Sequence, residues 1–274
     1  MKRIVILIFY VLSLTMLVSC IDKRAMCKRL DYVSQCNRAD TVFTEAWLPT
    51  VDSLVRFFDR HGNGNERMMA HYLKGRVHHD MGEAPIALEC YQKATEMADT
   101  TQKDCDLYTL YAIYGQMACL FHKQYLPDDE MKSLITAEKI ARKDKDTLEA
   151  IKAYSLRTRP YFLNGDTGSM LVVLKKAREM YLRQNENLQA SQMLFPVISI
   201  YLDKKDYLKA GQLLHQYEYE QKIYNDSESL DESGAYCLYI RTRDRQKAVP
   251  LHGPGSRFRG PRSPRVRQRR KRLF

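Results

Sequence analysis

Tryptophan is almost missing from this chain of 274 residues: Trp47 is the only one. No Cys-x-x-Cys pair occurs among its seven cysteines, which excludes the metal and redox signatures that depend on that spacing. There is no glycine-rich phosphate loop, no Gly-x-Ser-x-Gly and no His-Glu-x-x-His. No motif therefore speaks for nucleotide, hydrolase or zinc-protease chemistry. Alternating β-branched runs are scarce, which argues against a sheet protein. The expectation is a helical chain with no catalytic residue, no cofactor and no metal site.

The formal net charge is +11, a value that invites a nucleic-acid partner. Its distribution argues otherwise. Residues 241–274 hold thirteen Lys and Arg against one acid, Asp244, whereas residues 1–240 hold 31 bases and 32 acids. The body is neutral and the excess sits in a tail that also carries Pro250, Pro254, Pro261 and Pro264. Such a composition cannot build a packed core, so 241–274 is expected to be disordered. Repeat character stops abruptly there in favour of Arg, Pro and Gly, as a shifted reading frame or a truncation would produce.

The N-terminus reads as an address. Met1-Lys2-Arg3 is basic, and Ile4 to Val18 is an apolar or small-residue run too short for a comfortable membrane span. It ends in Leu17-Val18-Ser19-Cys20. This resembles the lipobox of bacterial lipoproteins. The resemblance implies a leader over residues 1–19 and a mature chain starting at an acylated Cys20. Stable attachment then follows from burial of more than one acyl chain.

Residues 68–101 carry the most specific pattern. Met69, Tyr72, Leu73, Val77 and Met81 recur at helical steps. Gly82 follows as a helix-ending residue, and Pro85 falls in the first turn of the next helix. That second helix carries Ile86, Ala87, Cys90, Tyr91, Ala94, Met97 and Ala98 on one stripe. Gly75, Ala87 and Ala94 permit close approach, with Tyr91 filling the space between the two helices. Small and aromatic residues at Gly75, His78, Gly82, Ala87, Tyr91 and Ala94 resemble one tetratricopeptide unit.

Related turns recur near Gln124, Gly165 and Lys205, about 40 residues apart. Tyr161 and Ala177 stand at the same offsets from Gly165 as His78 and Ala94 from Gly82, and Tyr201 precedes the Lys205 turn likewise. Gly115 is expected to be the small residue of the second unit. Pro160 and Pro196 sit inside first helices and are expected to kink them. Residues 31–60 read as one or two capping helices broken at Pro49, and 61–65 as a linker. The expected organisation is linker and caps over 20–65, repeats over 66–240, then the tail.

The whole resembles tetratricopeptide-repeat lipoproteins of the Bacteroidetes type. That implies an all-α solenoid of antiparallel helix pairs, lipid-anchored in a bacterial cell envelope. Its implied partners are envelope proteins or peptides, within a sensory or signalling assembly. In this family ligands lie along the first helices. Carried onto this sequence, the groove comprises Met69, Tyr72, Arg76, His79, Lys152, Ser155, Arg159, Phe162, Gln192, Phe195 and Ser199. Arg76, Lys152 and Arg159 would suit an acidic peptide or a C-terminal carboxylate. Arg76 stands where the chaperone-binding members have Asn, so chaperone-tail binding is not implied.

The alternative is a glycan-binding outer-membrane lipoprotein, ranked second because the chain has one Trp and no large insertion. His71, His78 and His79 have a metal-like spacing, but two of them stand where the repeat places large aromatics, so packing is the simpler assignment. Cys27 and Cys36 are a candidate disulfide pair in an oxidising envelope.

Overall fold

The structure, a computed structural model, describes residues 23–221. The expected leader, Cys20, the last turns of the expected repeat region and the basic tail lie outside the described residues. The chain divides into two units, Met1–Met193 and Leu194–Phe274.

In the first unit, helix α1 spans 23–38. A single 3-10 turn, Glu45–Trp47, leads into α2 (Leu48–His61). There follow α3 (Gly64–Asp80), α4 (Ala84–Glu96), α5 (Leu107–Lys123), α6 (Pro127–Lys143), α7 (Thr147–Ser155), α8 (Thr158–Leu163), α9 (Thr167–Arg183) and α10 (Asn187–Gln192). The second unit holds α11 (Leu194–Asp203) and α12 (Tyr207–Gln221) among its described residues. No strand occurs among the described residues.

One turn design closes helix after helix. Asp40, Gly82, Tyr125, Lys145, Gly165, Asn185 and Lys205 all have positive φ, between 52° and 81°. After each, the next residue donates its N–H to the carbonyl five positions back, as in Glu83 to His78, Asp146 to Ala141 and Asp166 to Tyr161 (each 2.9 Å). This is the Schellman closure, which satisfies carbonyls that a helix end would leave bare. From Tyr125 onward these residues fall every twenty positions. The residue after the turn then caps the next helix. Asp146, Asp166 and Asp206 each accept the backbone N–H three residues on, at 2.9–3.1 Å. Turns this short force neighbouring helices to run antiparallel.

Packing is layered. Leu30 and Val33 of α1 meet Val51, Leu54 and Phe58 of α2 and Ala70, Leu73 and Val77 of α3. On its other side α3 presents Met68 and Tyr72 to Ala87, Tyr91 and Ala94 of α4 and to Leu110, Ile113 and Leu120 of α5. Further layers follow through Tyr111, Ala137 and Ala150, and then through Ile151, Tyr181 and Ala190. In the second unit, Leu194 and Ile198 pack on Ala210, Leu214 and Tyr217.

Several expectations need correcting. Pro49 does not break a helix; it opens α2 near its N-terminus, where a missing N–H costs nothing. Pro160 does more than kink its helix. It separates α7 from α8, and Leu156 O is taken by Arg159 N at 3.0 Å in place of the proline. Pro196 stands likewise as third residue of α11. Cys27 and Cys36 are free and lie nine residues apart on α1. A helical rise separates them by about 13 Å, beyond the roughly 7 Å a disulfide allows.

Gly115 is also misplaced by the sequence reading. A Cβ there would meet nothing within 4 Å. Counting back seven residues from the turn, the counterpart of Gly75 is the buried Ala118. At Gly75 an added Cβ would lie 2.5 Å from two ring carbons of Tyr91, which is itself fully buried. Two opposite outcomes follow. Gly115→Ala should raise stability by about 0.5–1 kcal/mol through helix propensity. Gly75→Ala should lower it, because overpacking costs about 1–3 kcal/mol. Urea denaturation of both variants checks this; a stabilised Gly75→Ala would mean that the close approach of α3 and α4 is not required.

Candidate functional site

The first helices of successive pairs are linked side by side. Arg76 of α3 donates through Nε to Asn37 Oδ1 of α1 at 2.9 Å and through Nη1 to Gln116 Oε1 of α5 at 3.0 Å. Its Nη2 pairs with Asp80 at 3.1 Å. Asn37 Nδ2 in turn donates to the Tyr72 hydroxyl at 3.5 Å. Arg76 thus links α1, α3 and α5 at different heights, since Asn37, Arg76 and Gln116 stand three, six and nine residues before their own turns. Asp80 also accepts the Phe43 N–H at 3.0 Å, which ties the α1–α2 connection to the same seam.

Four expected groove residues come together on α3. Met69 is half-buried between two core clusters. Tyr72 and His79 are buried, and Arg76 is mostly so. Lys152 and Ser155 lie on α7, Arg159 and Phe162 on α8. Lys152 is exposed and pairs with Glu149 at 3.1 Å. Ser155 is buried, its hydroxyl donating to Lys152 O at 2.8 Å. Phe162 is 66% exposed. No hydrogen bond or ion pair among the described residues joins the α3 set to the α7–α8 set. Gln192 is exposed in the first unit, while Phe195 and Ser199 are half-buried in the second, where the Phe195 ring lies 6.2 Å from that of Tyr217.

Arg159 is held by a buried carboxylate. Its Nε lies 3.0 Å from Glu130 Oε1, too misaligned for a hydrogen bond, so the contact is ionic. Glu130 is fully buried, and its Oε2 takes His122 Nδ1 at 3.0 Å. Just over two turns along α6, Glu138 pairs with Arg142 at 2.7 Å and with Arg157. Arg157 also lies over the Tyr154 ring, 5.1 Å from its centroid. Two carboxylates of α6 thus hold the two arginines that flank the α7–α8 break. All three cations expected to make the groove positive already have carboxylate partners.

No family model matches the chain, and no curated protein matches it. Solved structures do. A putative kinesin light chain from Podosopora anserina, described as having nearly identical TPR-like repeats, aligns at a TM-score of 0.56 and 12% identity, covering 72% of this chain and 95% of that one. A point-substituted form of it gives 0.57, over 74% and 97% at 12% identity. BtubC (BKLC) from P. vanneervenii gives 0.52 at 12% identity, over 85% and 97%. The fold is tetratricopeptide-like. At this identity the likeness concerns the fold alone.

Within the tetratricopeptide-like frame the three clustered histidines face different partners. His71 meets Asp59 at 2.9 Å and His78 meets Glu83 at 2.6 Å. His79 lies between the Tyr91 hydroxyl at 3.2 Å and Lys123 Nζ at 3.3 Å. An ammonium can only donate, so Nε2 of His79 accepts and Nδ1 carries the proton. Among the described residues no group of three metal-ligating side chains converges. Asn37, Gln116 and Lys123 were not singled out from sequence.

Burial, and then the nearby charges of Lys123 and Arg76, hold the His79 pKa down from 6.5 to about 4. Between those values the unfolded chain binds a proton that the folded chain refuses. Stability therefore falls as pH drops through that window. In His79→Gln the fall from pH 6.5 to 4 should be shallower than in wild type, by at most one proton's worth. Thermal melts across the window test this; identical slopes would mean that His79 titrates normally.

Proposed function

We propose that the chain is a tetratricopeptide-type scaffold that binds a protein or peptide segment through the face of its first helices. The observation that carries this is the seam from Asn37 through Arg76 to Gln116, which ties three successive first helices together through one arginine and gives their shared face polar groups. Paired cations argue for a segment of little net charge over an acidic one. The exposed groups left to contact it are Phe162, Lys152 and Gln192. Phe162, 66% exposed, offers apolar area, and Lys152 and Gln192 are exposed polar side chains on neighbouring stretches of the chain.

A random peptide library panned against the full detergent-solubilised chain tests the face. Enriched peptides should lose at least tenfold in affinity for a Phe162→Ser/Lys152→Glu variant whose melting is unchanged. Peptides that bind variant and wild type alike would move the site elsewhere.

The second part of the proposal is location. The Leu17-Val18-Ser19-Cys20 sequence supports a lipid anchor at Cys20 and a place in a bacterial cell envelope. Among the described residues no helix is long and apolar enough to cross a membrane. Growth with an alkyne-bearing fatty acid should label the chain, and Cys20→Ala should abolish the label. Label that survives the substitution would refute the anchor.

A further inference from the structure

We propose that the outward face of α1 lies against an anionic bilayer surface. This rests on the reading that Cys20 carries lipid. The described part of α1 starts at Lys23, three residues beyond Cys20. Even fully extended, that connection spans only about 10 Å. An acylated Cys20 thus brings the first turns of α1 to headgroup depth.

The residues there fit such a surface. Arg24, Lys28 and Arg29 are exposed, and no ion pair or hydrogen bond reaches them among the described residues. They differ in this from Lys23, which pairs with Glu66 at 3.4 Å and donates to His61 O at 3.2 Å. Asp31 is the single acid of α1 against five bases, whereas residues 1–240 as a whole are nearly balanced. The inner face of α1 is committed to the core through Leu30 and Val33, so its rotation is fixed.

An aromatic pair adjoins the cations. Tyr32 is 60% exposed, and its ring stacks on Trp47 with centroids 6.3 Å apart. Val42, 73% exposed, lies in the connection between the two. Tyr and Trp favour the membrane–water boundary, where an apolar ring meets a wet edge. Cations beside such rings meet lipid phosphates, each raising partitioning about fivefold near an anionic surface. A lipid anchor gains a second signal in this way, as stable attachment commonly requires. The partner chemistry is the phosphodiester of anionic phospholipid.

Trp47 is the only tryptophan and reports on this face directly. The acylated full chain would be reconstituted on vesicles of phosphatidylcholine with 30% brominated phosphatidylglycerol. Flotation in 0.5 M salt reads the acyl anchor; Trp47 quenching in 50 mM salt reads the face. Wild type should float under both conditions and be quenched at least twofold in low salt. Arg24→Gln/Lys28→Gln/Arg29→Gln should still float but lose that quenching, with melting unchanged. Unquenched Trp47 on a chain that floats would overturn the proposal while leaving the anchor intact. Contact through the basic residues 241–274 alone would give that same unquenched result. Failure to float in high salt would remove the anchor, and quenching in low salt would then decide the face by itself.

Discussion

The left-handed turn residue followed by a five-back hydrogen bond is the constraint on which this structure depends. It ends each helix after a fixed number of residues and satisfies the last carbonyls. It then delivers a capping residue at once, commonly Asp. The device recurs every twenty residues from Tyr125 onward. The buried positions twelve residues after each paired-helix turn, Ala94, Ala137, Ala177 and Tyr217, can then be filled by a repeating set of residue types. Gly, Asn, Lys and even Tyr serve at the positive φ. The hydrogen bonds and the cap, more than the intrinsic preference of that residue, hold the turn.

Much of this was legible in the amino-acid sequence. The turns at Gly82 and Gly165 are marked by glycine, that near Lys205 by its spacing from Tyr201, and that near Gln124 by its place in the period of about 40 residues. The turns at Lys145 and Asn185 were less visible, because a lysine or an asparagine in the left-handed region leaves little trace in composition. Gly115 misled because a glycine in a helix suggests close approach, whereas here it faces open space and Ala118 takes the packing role. Pro49 misled because the same residue that breaks a helix interior also begins one.

The candidate face was legible in outline but not in its electrostatics. Periodicity alone puts Tyr72, Arg76 and His79 on one side of α3. It does not say that Asn37 and Gln116 reach Arg76, or that Glu130 reaches Arg159, from other helices. Charge read along a sequence counts cations as available until their partners are known. The long-range pairs that neutralise this face depend on the α7–α8 break, and hence on how Pro160 redirects the chain.

Glu130 carries one more consequence. It stands five residues after a turn, where the corresponding positions hold Ala87, Met170 and Ala210, all buried. In a chain of near-copies, docking a helix pair onto the wrong neighbour is an easy folding error, since the apolar contacts are similar everywhere. A carboxylate sealed at this one position removes that degeneracy. α8 brings the guanidinium that faces Glu130, and another neighbour would leave that buried carboxylate with His122 alone. The ion pair therefore works as a key that distinguishes the correct stacking order from its look-alikes, whatever its net contribution to stability.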